Sequence, residues 1–177
     1  ILFLVLGGAM IALAIERVGL HRRLALAIIR RGGSSPAAML FAFLTATALI
    51  SMIVSNTATT LIMIPIAVAL IKAADIPEGH TEGFAGALAM GIAFAASIGG
   101  LGTLVGSPTN AIAAGIIEKT VGLRITFLDW ATFGIPLVLV SIPLCWAILM
   151  RVQRVQDLLQ ALGAEIGDHR REGQVRP

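Results

Sequence analysis

Residues 32–71 carry no ionisable side chain, and residues 83–117 again carry none. Runs that long and that apolar belong where water is excluded, and there every backbone N–H and C=O must be paired within the structure, which a helix achieves alone. Each run is nevertheless interrupted by a polar cluster. The first is Ser55-Asn56-Thr57, and the second spans residues 97–110, with four glycines and Pro108 between Gly99 and Pro108. A hydroxyl or carboxamide inside hydrocarbon must bond a neighbouring helix, another polar group or a bound solute. Both clusters are therefore binding-site candidates.

Composition agrees with burial in a bilayer. Hydrophobic residues make up 57% of the chain and charged residues 13%, against roughly 25% charged in ordinary soluble domains, and the mean hydropathy is +0.92. The fold class expected is an all-α integral membrane protein. A net charge of +3 and a pI near 10.0 do not indicate a nucleic-acid partner, because no basic, aromatic-bearing face separates from the loop charges. The basic excess reads as a topology signal. Arg17, Arg22, Arg23, Arg30 and Arg31 crowd one connector, which the positive-inside rule assigns to the cytoplasm.

Along the chain, residues 1–15 read as a first apolar helix, truncated at its start. Ile1 lies within an apolar segment with no charged region before it, unlike a signal peptide, and further N-terminal helices are expected. The connector over 16–31 reads either as an amphipathic helix on the membrane surface or as a solvated loop helix. Ser35 and Pro36 are placed to cap and start the next helix. Its arm, 37–54, is long enough to cross a bilayer, whereas the arm after the cluster, 58–71, is short, so a re-entrant hairpin with Ser55-Asn56-Thr57 at its tip fits best. Lys72 returns the chain to the cytoplasmic side.

After a polar loop at 75–82, a Gly/Ala-rich helix covers 83–98, an unwound segment covers 99–108, and a half-helix runs from about Asn110 to Ile117. Residues 118–129 form the external connector, Trp130 marks the membrane boundary, and 131–150 cross back to Arg151 and Arg154. The domain division is thus a membrane domain over 1–150 and a cytoplasmic helix or linker over 151–177.

A broken helix exposes carbonyls at the end of its first half and amides at the start of its second, suited to a small cation and to a carboxylate respectively. Hydroxyl and carboxamide oxygens can complete a sodium site. Ser51 or Thr59 taken singly, and the pair Gly102 and Gly106, read as helix-packing groups; two clusters, each at a break and each holding Asn with hydroxyl neighbours, read as a site. Other chemistries are poorly served. His21, His80 and His169 fall in connectors or the tail, Cys145 is the single cysteine, no phosphate-binding Gly-Lys-Ser/Thr follows the glycines, and no enzyme or organic cofactor is indicated.

The stretch 51–65 around Ser55-Asn56-Thr57, the stretch 96–110 ending in Pro108-Thr109-Asn110, and Phe127-Leu128-Asp129-Trp130 together resemble the N-terminal half of the divalent anion:sodium symporters, the carriers of dicarboxylates, citrate and sulfate. The resemblance covers the chain to about residue 150. It implies half of an inverted-repeat, elevator-type transporter, with a re-entrant hairpin and a discontinuous helix, homodimeric when complete. It further implies sodium coordination by Ser51, Ser55, Asn56 and a carbonyl of Gly99 or Gly100. Asn56 and Thr57 would hold a substrate carboxylate, with Thr103, Ser107, Pro108 and Asn110 lining the same site. Relatives often have Pro-Pro-Asn where this chain has Pro108-Thr109-Asn110. Half a site alone is not expected to transport. The competing readings are a proton-coupled or exchange carrier of another anion on a related fold, and a non-transporting membrane scaffold whose polar clusters only lock helices together.

Overall fold

The computed structural model describes residues 35–73 and 83–153, with isolated positions between 7 and 27. The first apolar helix, most of the basic connector, the loop at 75–82 and the tail beyond 153 lie outside the described residues. Within the two continuous described stretches five helices follow one another: α1 (Pro36–Ser51), α2 (Asn56–Ala73), α3 (Phe84–Gly100), α4 (Pro108–Val121) and α5 (Phe127–Val152). Among the described residues there is no strand.

Local chemistry accounts for the helix ends. Ser35 accepts a hydrogen bond from the Ala38 amide and Pro36 opens α1, as the sequence predicts. Gly122, at φ 71°, ends α4 in the left-handed conformation that glycine adopts without strain. Thr126 and Asp129 form a reciprocal capping box at the start of α5. The extent of the first arm differs from the sequence reading. The first arm ends at Ser51 rather than 54, and at 16 residues it rises only ~24 Å, short of a bilayer's hydrocarbon core. Among the described helices, α5 alone is long and apolar enough to cross a membrane.

The core forms where α1 and α3 lie side by side. Leu40, Phe43, Leu44, Leu88, Ile92 and Ala95 have no exposed surface. Gly91 and Gly99, with Ala95 between them, give α3 a smooth stripe: a methyl group at Gly91 would sit 2.7 Å from Leu44 Cδ1, and one at Gly99 would sit 2.3 Å from the Ala48 carbonyl oxygen. Contacts that rise together along both chains make α1 and α3 parallel. Helix α5 runs antiparallel to them, with Gly134 against the backbone at 101–102 and Leu149 against Gly91.

At the other end of α5, the Trp146 indole N–H donates to the Ala37 carbonyl at 2.8 Å, and its ring meets Phe41 edge-on at 5.7 Å. Between Trp130 and Trp146 α5 rises ~24 Å, the length of α1. Consequently the starts of α1 and α3 and the end of α5 share one side, while the hairpin tip, the break after α3 and the start of α5 share the other. Trp146→Phe keeps the ring contact and removes the hydrogen bond; it is expected to cost about 1 kcal/mol in detergent unfolding, and an unchanged midpoint would show that the clamp is not used.

Candidate functional site

The polar clusters of the two uncharged runs come together at Gly100, the last residue of α3. The Asn56 carboxamide lies directly over it: a methyl group at Gly100 would be 2.3 Å from Asn56 Oδ1. The carboxamide of Asn110 reaches it from α4, with Nδ2 donating to the Gly100 carbonyl at 2.7 Å and to the Thr103 carbonyl at 2.9 Å. The first turns of α2 and α4 therefore converge on one glycine.

Ser55 explains why Asn56 is helical and not part of an open tip. Its hydroxyl accepts from the Ala58 amide and its carbonyl from the Thr59 amide, so Ser55 is the N-cap and Asn56 the first helical residue. The tip proper is 52–55, a correction to the tip read at 55–57. The break after α3 is likewise shorter than expected: Gly99 and Gly100 are helical, and only 101–107 are unwound. The half-helix starts at Pro108 and extends to Val121, beyond the expected Asn110 to Ile117.

Ser51 closes α1 with no exposed surface. Its hydroxyl oxygen lies 2.6 Å from the Ala96 carbonyl and 2.9 Å from Asn56 Oδ1. A serine hydroxyl has one proton. It can serve either contact, and Ser51 Oγ and Asn56 Oδ1 stand side by side as neutral oxygens, donors of the kind a small cation accepts. More oxygens crowd nearby: the carbonyls of Gly100, Ser51 and Met52 all lie within 3.1 Å of the place where a Gly106 methyl would sit. Thr103 Oγ1 donates to the Met52 carbonyl and accepts from the Gly106 amide, binding the hairpin tip to the break. Among the described residues no three of His, Cys, Asp and Glu come together, so a cation here would be held by neutral oxygens, the hard donors that sodium accepts.

The remaining sequence-predicted residues sit around this centre. Thr57 and Pro108 are exposed, and Ser107 is half-buried. Ser107 precedes α4 without capping it, its hydroxyl instead sharing a 2.7 Å hydrogen bond with Thr109. Pro108 has no N–H and the Asn110 amide donates to the Ser107 carbonyl at 3.1 Å, so Thr109 supplies the first-turn amide that no side chain caps, at the positive end of the helix dipole. Asn110 is 3% exposed, with both amide protons engaged by backbone carbonyls; it straps α4 to the break.

Of the two residues read singly as packing groups, Ser51 does bond across to α3, whereas Thr59 is fully buried with no partner for its hydroxyl among the described residues. Sequence reasoning missed Trp130 and Gly134. Trp130 stands in the first turn of α5 and its indole N–H donates to the Leu101 carbonyl at 2.9 Å, and Gly134 lets α5 approach the same turn. The one signal available was their spacing of one helical turn. Both residues help line a largely apolar cavity of about 540 Å³, with Leu101, Leu123, Phe133 and Leu137 among the others; it contains none of the predicted site residues.

Comparison with known proteins finds a match to the family model described as citrate transporter over residues 1–173. The sodium-dependent dicarboxylate transporter SdcS of Staphylococcus aureus strain USA300 is 42% identical over 171 residues, which are 93% of this chain and 33% of the relative. The same identity and coverage hold for SdcS of strain NCTC 8325 / PS 47. The chain spans about a third of the length of the curated relatives it matches.

Proposed function

The chain belongs to the citrate transporter family, and from that premise we propose that it supplies one half of the binding site of a secondary carrier that couples sodium entry to uptake of a di- or tricarboxylate or a related divalent anion such as sulfate. It is an integral membrane protein of the plasma membrane, and a carrier rather than an enzyme. The observation that carries the reading is the convergence at Gly100 of neutral oxygens from Ser51 and Asn56 with the uncapped first turn of α4. Oxygens without carboxylates suit sodium, and the N-terminus of α4 beside them suits an anion. Cation and anion then stabilise each other across a few ångströms in a low-dielectric setting, the physical basis of symport.

In this reading Ser51, Asn56 and a carbonyl of Gly99 or Gly100 ligate sodium, with Ser55 holding Asn56 in place as N-cap and contributing from the same turn. Asn56 Nδ2 and Thr57 receive a substrate carboxylate, and Ser107, Pro108 and Thr103 line the approach. Asn110 shapes the site by fixing Gly100. The complete carrier has two inverted repeats moving as an elevator and pairs as a homodimer in the bilayer; residues 1–150 form the membrane part of the first repeat and 151–177 a cytoplasmic extension.

The test is uptake of labelled succinate into proteoliposomes by the full-length protein, with a sodium gradient or with potassium in its place. Asn56→Ala removes a cation ligand and a carboxylate donor at once, so uptake is expected to fall by about 100-fold with melting nearly unchanged, the size that two or so charge-assisted hydrogen bonds give. Sodium-independent uptake would favour the proton-coupled or exchange carrier. A folded wild type that moves neither succinate, citrate nor sulfate, with Asn56→Ala lowering stability, would establish the scaffold reading instead.

A further inference from the structure

Trp130 is one of two tryptophans in the chain, and its position at the start of α5 is explained without reference to the site by interfacial anchoring. Its hydrogen bond is not. The indole N–H meets the carbonyl of Leu101, the first residue beyond α3 and the immediate neighbour of Gly100. That carbonyl lies past the helix end, where the intrahelical donors stop. One turn along α5, Gly134 presses on the same turn: a methyl group there would stand 2.7 Å from the Leu101 oxygen and 2.6 Å from the Gly102 oxygen. The Leu101 and Gly102 amides in turn donate to the Ile98 and Gly99 carbonyls at 3.1 and 2.9 Å. Whatever holds residues 101 and 102 therefore bears on the direction of the carbonyls at 98 and 99 and on the last turn of α3, where Asn56 Oδ1 lies over Gly100.

We propose that Trp130 is a positioning residue for the cation site, acting through its N–H on the Leu101 carbonyl, so that helix α5 controls sodium affinity without touching the ion. Asn110 fixes the Gly100 carbonyl from one side, and Trp130 fixes the next carbonyl from the other. The inference rests on the sodium-coupled reading above. It differs from membrane anchoring in assigning the effect to the donor and not to the ring.

Trp130→Phe separates the two, since it keeps an aromatic ring at the boundary and deletes the N–H. In proteoliposomes of the full-length protein, the sodium concentration for half-maximal succinate uptake is expected to rise about fivefold, the equivalent of one neutral hydrogen bond. The succinate KM at saturating sodium should stay at its wild-type value, and melting should fall by no more than in Trp146→Phe, which loses an equivalent hydrogen bond away from the site. An unchanged sodium half-saturation beside a sodium-driven wild type would overturn the inference alone; wild-type uptake indifferent to sodium would bring down the functional reading together with it. Should Trp130→Phe fail to fold, Trp146→Phe leaves Trp130 as the sole tryptophan in this chain, and in an otherwise tryptophan-free background its emission is expected to shift on titration with sodium and not with choline. No shift would overturn the proposal.

Discussion

Gly100→Ala is expected to abolish sodium-driven uptake while leaving the protein folded. The added methyl group would stand 2.3 Å from Asn56 Oδ1 and 3.1 Å from its Cγ and Nδ2, so the carboxamide must leave. It can do so cheaply, being the end of a half-buried side chain and not a piece of backbone. Alanine also improves the last turn of α3 by up to ~1 kcal/mol relative to glycine. What is lost is the apposition of Asn56 Oδ1 and Ser51 Oγ, 2.9 Å apart, and with it the oxygen pair assigned to the cation. Uptake should drop by about 100-fold, with the melting temperature unchanged or slightly raised. Near-normal sodium-driven uptake by a folded Gly100→Ala protein would mean that Asn56 does not act from this position.

One residue earlier, the same substitution has the opposite character. A methyl group at Gly99 would lie 2.3 Å from the Ala48 oxygen, 2.5 Å from its Cα and 2.8 Å from its carbonyl carbon. All three are backbone atoms of α1, and no rotamer removes them. The helices must move apart along a seam where Leu44, Ala48 and Ala95 are at most 2% exposed. Overpacking of this kind costs about 1–3 kcal/mol, and Gly99→Ala should fall at the upper end, seen as a lowered unfolding midpoint and poor recovery of folded protein from membranes. Because the obstruction is backbone, adding Ala48→Gly should not restore stability. Rescue by that second change would show that the helix seam is looser than its geometry indicates.

The contrast between Gly99 and Gly100 shows where sequence reasoning stops. Both glycines, in a row and followed by Gly102, read as the start of an unwound segment, since local propensity disfavours helix at each. Both are helical. Packing against α1 requires a residue without a side chain at 99, and the Asn56 carboxamide requires one at 100; the glycines serve close approach there, while the chain unwinds only from 101. The start of α4 was more accessible than the reading made it. Ser107-Pro108 repeats the Ser35-Pro36 pattern that correctly opens α1, and the rule for proline in the first turn places the start at Pro108 without further information. Asn56 lay inside a helix for a similarly local reason, because Ser55 before it is a strong N-cap.

Two uncharged runs, each interrupted by hydroxyls and a carboxamide, determine by themselves that this chain is helical, belongs in a membrane and keeps its polar groups at two breaks, because backbone and side-chain polar groups without water must find partners nearby. The resemblance of its motifs to the symporters also points to Ser51, Asn56 and the glycines at 99 and 100 as the residues proposed to carry the chemistry. Only the tertiary structure decides what they do to one another. The meeting of Asn56 and Asn110 over Gly100, the tie from Thr103 to the Met52 carbonyl and the reach of Trp130 to Leu101 join residues 10 to 51 positions apart. Such pairings depend on the crossing of α1, α3 and α5, and a helix crossing is set by the shape of whole packed faces, which no local stretch of residues specifies.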